Sequence, residues 1–314
     1  MILIVSAVAT AAAGVTIAAT ALTRSDVAAR PVATPRSGVP PLVLDLGVRT
    51  DPEARALRRA VALYDAGRRA QAGEIFARYS SVEARVGAAL SAWPDGLQRL
   101  EELAREQPES GAAELALGLA EFWQGRTAEA QRSWRRVKSV EPDSQYAVRA
   151  ADLLHPDLPV PGLPAFVPSF PSPGELRGLD PPEQYALLRR RADGGSADDL
   201  MLFGAALQRL GRPVSARRAF EQAAGLAPND PEALTARAIG HFDKDRPAEA
   251  FSRLGPLTRR FPRAATVRFH LGLLLVWMGQ IDDAKRQFRL AQRAEPGSVT
   301  GRQAAEFLRR LPAS

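Results

Sequence analysis

Four kinds of residue recur every 34 positions in the C-terminal half of the chain, and this repeat constrains the fold more than any other feature. A glycine or aspartate is followed five residues later by alanine, then by a large apolar residue, then by proline: Gly211, Asp245 and Gly279; Ala216, Ala250 and Ala284; Phe220, Leu254 and Phe288; Pro228, Pro262 and Pro296. Agreement in four registers indicates a repeated helical hairpin. One hairpin cannot bury its own apolar faces, so neighbouring hairpins must stack.

Two further copies of this unit occur in the N-terminal half. One contains Gly118, Phe122, Gly125, Ala130, Trp134, Val137 and Pro142, and the other contains Tyr64, Gly67, Ala72 and Phe76. The stretch between Ser81 and Pro108 matches poorly. A turn glycine ends the first helix, the alanine permits close helix approach, and the proline stops the second helix. No alternating run of β-branched residues predicts a strand, so helices are expected after residue 50.

These residues resemble the tetratricopeptide repeat (TPR) family, whose helical hairpins stack into a superhelix. The resemblance covers most of residues 51–155 and 183–311. The sequence departs from the family pattern at Asp245, where glycine is usual, and at Arg85 and Arg268, where a large aromatic residue is common. The resemblance implies an all-α TPR solenoid in two blocks.

The predicted organisation has five parts. In order, they are a transmembrane anchor or signal sequence, an extended linker, an N-terminal TPR block, a proline-rich linker or insertion, and a C-terminal TPR block with a capping helix: residues 1–23, 24–50, 51–155, 156–182 and 183–314. The nine prolines between Pro156 and Pro182 exclude a helix there. Two interpretations of that stretch stay open: an arm packed against a block, or a docking ligand for a partner. We also predict that residues 144–154 and 183–192 pair as one interrupted hairpin.

Residues 1–23 contain no charged side chain, and their length is about that needed to cross a ~30 Å hydrocarbon core as a helix. We predict a single-pass anchor in the cell membrane. A cleavable signal peptide ending near residue 21 stays an alternative. The arginines that follow the segment favour, slightly, a cytoplasmic location for the rest of the protein. The alternative is an exported assembly or folding factor outside the cytoplasmic membrane.

The composition offers little material for catalysis. The chain has no cysteine and three scattered histidines, His155, His241 and His270, and no phosphate-loop or hydrolase motif. Carboxylate pairs such as Asp198–Asp199 lie at helix starts, where the helix dipole explains them. We therefore predict no catalytic residue, no metal site and no cofactor. The net charge is +7, but acidic residues lie near the basic clusters, which does not favour nucleic-acid binding.

The TPR resemblance implies a concave groove lined by the first helix of each unit. The residues predicted to line it are Phe122, Trp123, Met201, Gln208, Arg209, Ile239, Phe242, Phe269, Leu273 and Trp277. The Lys, Arg and Asn clamp with which some TPR proteins hold a terminal carboxylate is absent, so we expect a partner with an apolar or amphipathic segment. For the aromatic residues, packing between units is the alternative role. The predicted function is a non-enzymatic, membrane-tethered scaffold that binds proteins or peptides. The sequence does not indicate an oligomeric state.

Overall fold

A computed structural model describes residues 35–311. Within that range the chain forms fifteen α-helices and no β-strand. In chain order they are α1 Pro52–Asp65, α2 Arg69–Phe76, α3 Val82–Ser91, α4 Leu97–Glu106, α5 Gly111–Trp123, α6 Thr127–Val140, α7 Gln145–Leu154, α8 Pro181–Asp193, α9 Ala197–Arg209, α10 Pro213–Leu226, α11 Pro231–Gly240, α12 Ala248–Arg260, α13 Ala265–Trp277, α14 Ile281–Ala294 and α15 Val299–Arg310. The predicted all-α fold is confirmed for this part of the chain.

The helices begin and end at residues with a local chemical reason to do so. At Asp51, Ser196 and Asp230 the side chain accepts a hydrogen bond from a backbone N–H in the first turn. Asp180 and Glu183 form a reciprocal capping box at the start of α8. At the turns inside the hairpins, glycines adopt positive φ, which other residues reach only at a cost: Gly67, Gly125, Gly211 and Gly279.

The helices form two runs of hairpins, α1 to α7 and α9 to α15. Each second helix packs on the first helix of the next hairpin, and successive first helices, such as α9, α11 and α13, also touch. This is the stacking expected of a solenoid. The last helix, α15, packs on α13 and α14. In contrast, α8 packs along α9 and does not complete a hairpin with α7, so the predicted interrupted hairpin is wrong.

A contact between an aromatic ring and a glycine recurs inside the hairpins. The rings of Trp134, Phe220 and Phe288 each lie over a glycine 16 residues earlier, on the first helix: Gly118, Gly204 and Gly272. A Cβ atom at those glycines would stand 2.5, 2.4 and 2.6 Å from the ring, closer than real Cβ contacts. The large residue of the repeat therefore fills space that only a glycine leaves open.

The two blocks meet through charged and polar groups. Asp143, which precedes α7, accepts hydrogen bonds from the backbone N–H groups of Val214 and Ser215 at 2.8 and 3.1 Å, so it caps α10 of the other block. Lys244 binds Asp152 at 2.6 Å, with the lysine side chain buried. Asp245 binds Lys138 and His155 of the N-terminal block. These two contacts account for aspartate at position 245, where the repeat usually has glycine.

Two extended segments complete the fold. The first, residues 35–47, buries Leu42 and Leu46 against the N-terminal block. From residue 36 onward, the predicted linker is therefore packed instead of being a free tether. The second is the proline-rich stretch, which packs as an ordered arm against the C-terminal block and buries Phe166 completely. In residues 35–311 no helix is both long and apolar enough to span a bilayer. The predicted anchor, residues 1–23, lies outside the described residues.

The aromatic contact predicts opposite effects of alanine at two glycines. Gly204→Ala should lower the free energy of unfolding by about 1–3 kcal/mol, because its Cβ overlaps the Phe220 ring. Gly225→Ala is the matched control: Gly225 is exposed in α10 with no atom within 4 Å of its added Cβ, so stability should rise by up to about 1 kcal/mol. Urea unfolding measures both, and equal midpoints for the two variants would contradict the packing.

Candidate functional site

The proline-rich arm lies in the groove that the sequence predicted for partners. We use the name "arm" for residues 158–172 and "C-terminal groove" for the surface formed by α9, α11 and α13. Phe166 of the arm belongs to one buried apolar cluster together with Met201, Ile239 and Phe242 of these helices and their turns. Val167 belongs to the next cluster, together with Leu273 and Phe269. The chain's own extended segment therefore occupies the groove.

Side chains of the groove bind the arm's carbonyl oxygens at every second residue. Lys244 Nζ donates to the carbonyl of Val160 at 3.1 Å. Trp277 Nε1 donates to the carbonyl of Gly162 at 3.1 Å, and Gln208 Nε2 donates to that of Pro164 at 3.4 Å. The three acceptors are two residues apart, but Gly162 adopts a positive φ of 74°, so the arm is open chain with a local turn there and not a regular strand. The groove therefore recognises main chain.

Further along, the contacts change from carbonyls to amides. The N–H of Phe166 donates to Gln208 Oε1 at 2.7 Å, and the N–H of Val167 donates to His270 Nε2 at 2.9 Å. Glu232 accepts twice from Ser169, from its N–H at 2.6 Å and from its hydroxyl at 2.8 Å. Buried backbone groups must find partners, and three polar side chains supply them here.

Phe166 is the side chain that anchors the arm. Its ring stacks on the His270 imidazole with centroids 5.0 Å apart, and meets the edge of Phe220 at 5.4 Å. The Phe220 ring is also the one that covers Gly204, so the arm packs directly on the aromatic contact inside a hairpin. Truncating an aromatic anchor in such a pocket typically costs ~2 kcal/mol or more.

Burial shifts the pKa values of the groove's two titratable acceptors, Glu232 and His270, in opposite directions. It raises the pKa of Glu232 to about 7, although hydrogen bonds from Ser169 and Thr266 favour the charged form. It lowers the pKa of His270 to about 4. Because Nε2 accepts from Val167, the proton of the neutral ring lies on Nδ1, which donates to the carbonyl of Thr266 at 2.7 Å.

The predicted groove residues of the C-terminal block fall into four groups. Gln208 and Trp277 hydrogen-bond to the arm. Met201, Ile239, Phe242 and Leu273 share apolar clusters with it. Phe269 is fully buried among the rings of His270, Phe288 and Phe307, which is packing between units. Arg209, whose pKa burial lowers to about 10, lines a cavity of about 150 Å³ beside Val167 and Phe170.

The groove of the N-terminal block is occupied in the same way, by residues 36–46. The N–H of Arg36 donates to the carbonyl of Trp123 at 2.7 Å, and its guanidinium lies 3.7 Å from the ring centroid of Phe122. Tyr64 Oη donates to the carbonyl of Pro40 at 2.7 Å, and the N–H of Asp45 donates to Tyr146 Oη at 2.9 Å. Phe122 and Trp123 are thus half-buried under the first extended segment.

Sequence reasoning missed three residues that hold the arm: Glu232, His270 and Lys244. Glu232 lies in the first turn of α11, where the helix dipole already accounts for a carboxylate. His270 is one residue away from the predicted groove position Phe269. A signal was nevertheless present, because an ionisable residue on an otherwise apolar first helix needs a polar partner. In residues 35–311, no group of three or more His, Asp or Glu side chains could hold a metal ion.

The opposite pKa shifts predict opposite pH profiles for two variants. Glu232 has a raised pKa, so its contribution to stability is lost as pH rises from 4.5 to about 7. Relative to the unmodified protein, Glu232→Gln should therefore gain up to about 3 kcal/mol of unfolding free energy across that range. The contribution of His270 is lost as pH falls from 6.5 to about 4, so His270→Gln should show the reverse trend. Denaturant unfolding across this pH range measures both, and parallel profiles for all three proteins would disprove the assignment.

One comparison with known proteins identifies a repeat in the chain. The family model of the tetratricopeptide repeat matches residues 112–144, which cover α5 from its second residue, the turn after it and α6. No curated protein matches the chain in sequence.

Several solved structures are similar to the chain at low identity. One is YrrB, a TPR protein with an unusual peptide-binding site, at 15% identity, a TM-score of 0.31, and coverage of 67% of this chain and 99% of that chain. Another is yeast Tom70, at 15% identity, a TM-score of 0.35, and coverage of 87% and 52%. A third is a tetratricopeptide repeat protein from Parabacteroides merdae, at 12% identity, a TM-score of 0.32, and coverage of 82% and 98%. The chain therefore contains one recognised tetratricopeptide repeat, at residues 112–144, within a run of stacked helical hairpins.

Proposed function

We propose that the protein is a non-enzymatic scaffold whose C-terminal groove binds an extended apolar segment of a partner protein. One observation carries this proposal: the groove already holds an extended segment, the arm, through main-chain hydrogen bonds and one aromatic pocket. These are the two components of peptide recognition, since main-chain bonds supply affinity and side-chain pockets supply specificity.

The proposal includes attachment to the cell membrane through residues 1–23, with the repeats in the cytoplasm. It is supported by the uncharged N-terminal sequence and by the arginines that follow it. Arg36 lies at the C-terminal end of α5, so a tether formed by the residues before it would leave the N-terminal block at that point. An exported protein acting outside the membrane would have the same groove and the opposite topology.

Site-specific photo-crosslinking in cells tests the proposed function. A photoreactive phenylalanine analogue at Trp277, which is half-buried in the groove, should crosslink a discrete set of proteins in the membrane fraction. The control position is Gln222, which is exposed on α10 away from the groove. The same analogue at Gln222 should not capture that set of proteins. The same proteins from both positions, or none from position 277, would contradict a partner-binding groove.

Deleting residues 1–23 tests the attachment. We expect the truncated protein to leave the membrane fraction and to lose the captured partners. A topology reporter fused after Pro41 should be active in the cytoplasm. Activity on the outer side would instead support the exported assembly or folding factor.

A further inference from the structure

Resting on the proposed function, the contacts of the arm also indicate what kind of partner segment the groove takes. Six hydrogen bonds join groove side chains to the arm's main chain: three carbonyls of the arm accept and three amides of the arm donate. Main-chain contacts of this kind tolerate many side chains but require an open backbone, which in the arm turns once, at the positive φ of Gly162. A proline-rich segment that contains a glycine meets the requirement, because prolines hold the rest of the backbone open at low entropic cost.

The side chains of the arm add a specific requirement for one aromatic residue. Phe166 is fully buried between His270 and Phe220. By contrast, Pro159, Pro161 and Pro171 are exposed, so the groove does not read those positions. A matching ligand would therefore have a buried phenylalanine, followed by a small apolar residue, in a stretch where exposed positions can be proline.

The hairpins have contacts of their own that do not pass through the arm. The helix pairs α9–α10, α11–α12 and α13–α14 pack directly, and the first helices α9, α11 and α13 also touch one another. Apart from one short 3-10 turn at Gly174–Leu176, the segment between α7 and α8 forms no helix or strand. The arm is held by the groove and by Asp152 of α7, which accepts from the N–H of Gly162 at 2.9 Å. The hairpins of the C-terminal block therefore have packing contacts of their own that do not require the arm.

We propose that the arm is an internal competitor, which a partner displaces with an extended, proline-rich, apolar segment carrying a phenylalanine in the place of Phe166. In the free protein the groove is closed by residues 158–172. A partner binds by exchange, and the arm becomes an exposed loop between α7 and α8.

A labelled peptide with the sequence of residues 158–172 tests this exchange on the full-length protein. In the unmodified protein the arm should exclude the peptide. Phe166→Ala in the protein removes the anchor of the competitor, so fluorescence polarisation should show at least about tenfold tighter peptide binding, from the loss of an aromatic anchor. The same peptide with alanine in place of its phenylalanine should bind neither protein. Phe261→Ala is the matched control, since Phe261 is half-buried at the end of α12 and makes none of the arm's hydrogen bonds.

A second variant tests the same exchange if the Phe166→Ala protein does not fold. Residues 159–170 are replaced by a glycine–serine segment of the same length, which removes the competitor entirely. Added peptide should then raise the thermal midpoint of this variant in a concentration-dependent way, because a ligand that binds only the folded state stabilises it. The unmodified protein should show no such rise.

Several outcomes would overturn the proposal. They are equal peptide affinity for the unmodified and Phe166→Ala proteins, absence of binding to a folded variant, or variants that stay unfolded and that the peptide does not rescue. The last result would make the arm an inseparable part of the fold. The crosslinking experiment at position 277 tests the proposed function independently of the internal competitor. Cellular partners that lack a proline-rich apolar segment would leave the scaffold function in place and remove the internal competitor.

Discussion

The fold depends on covering apolar helix faces that no single hairpin can bury by itself. Stacking covers the faces between hairpins, and the aromatic–glycine contacts bring the two helices of a hairpin close together. The faces of the first helices that no neighbouring hairpin covers remain, and in both blocks an extended segment of the same chain covers them. Covering a surface with extended backbone creates a second requirement, because the buried amides and carbonyls need partners. Gln208, Glu232 and His270 meet that requirement, which explains polar side chains on otherwise apolar helices.

The junction between the blocks follows a different chemistry. The two blocks are joined by a carboxylate cap from Asp143 to α10, by ion pairs at Asp45–Arg212 and Lys244–Asp152, and by the close approach of Gly211 to Gln145. Both extended segments take part in it. Asp45 lies in the first segment, and the carbonyl of Val160 in the arm accepts from the same Lys244 that binds Asp152. The coverings of the two grooves and the contact between the blocks are therefore physically connected.

Much of this architecture could be predicted from local sequence rules. The 34-residue spacing predicted the hairpins, and Asp51, Asp180, Ser196 and Asp230, which cap helices in the structure, are of the residue types that favour that position. The arm's position could not be predicted, because main-chain hydrogen bonds leave no side-chain pattern in the segment that makes them. The predicted pairing of α7 with α8 was wrong because repeat spacing does not show that α8 packs on α9 instead. The groove positions were assigned by resemblance, and Glu232 was not among them because the helix dipole already accounts for a carboxylate at that position.

The arm is joined to the protein at both ends, by α7 and by α8, and this has a thermodynamic consequence. A segment held by a short connection has an effective concentration at its own site in the millimolar range or above. A single soluble copy of a partner segment would have to bind very tightly to compete with it. Partners that present several copies of the segment, or that are confined to the same surface as the protein, overcome this barrier by avidity. A doubly tethered occupant therefore selects for assemblies over isolated peptides.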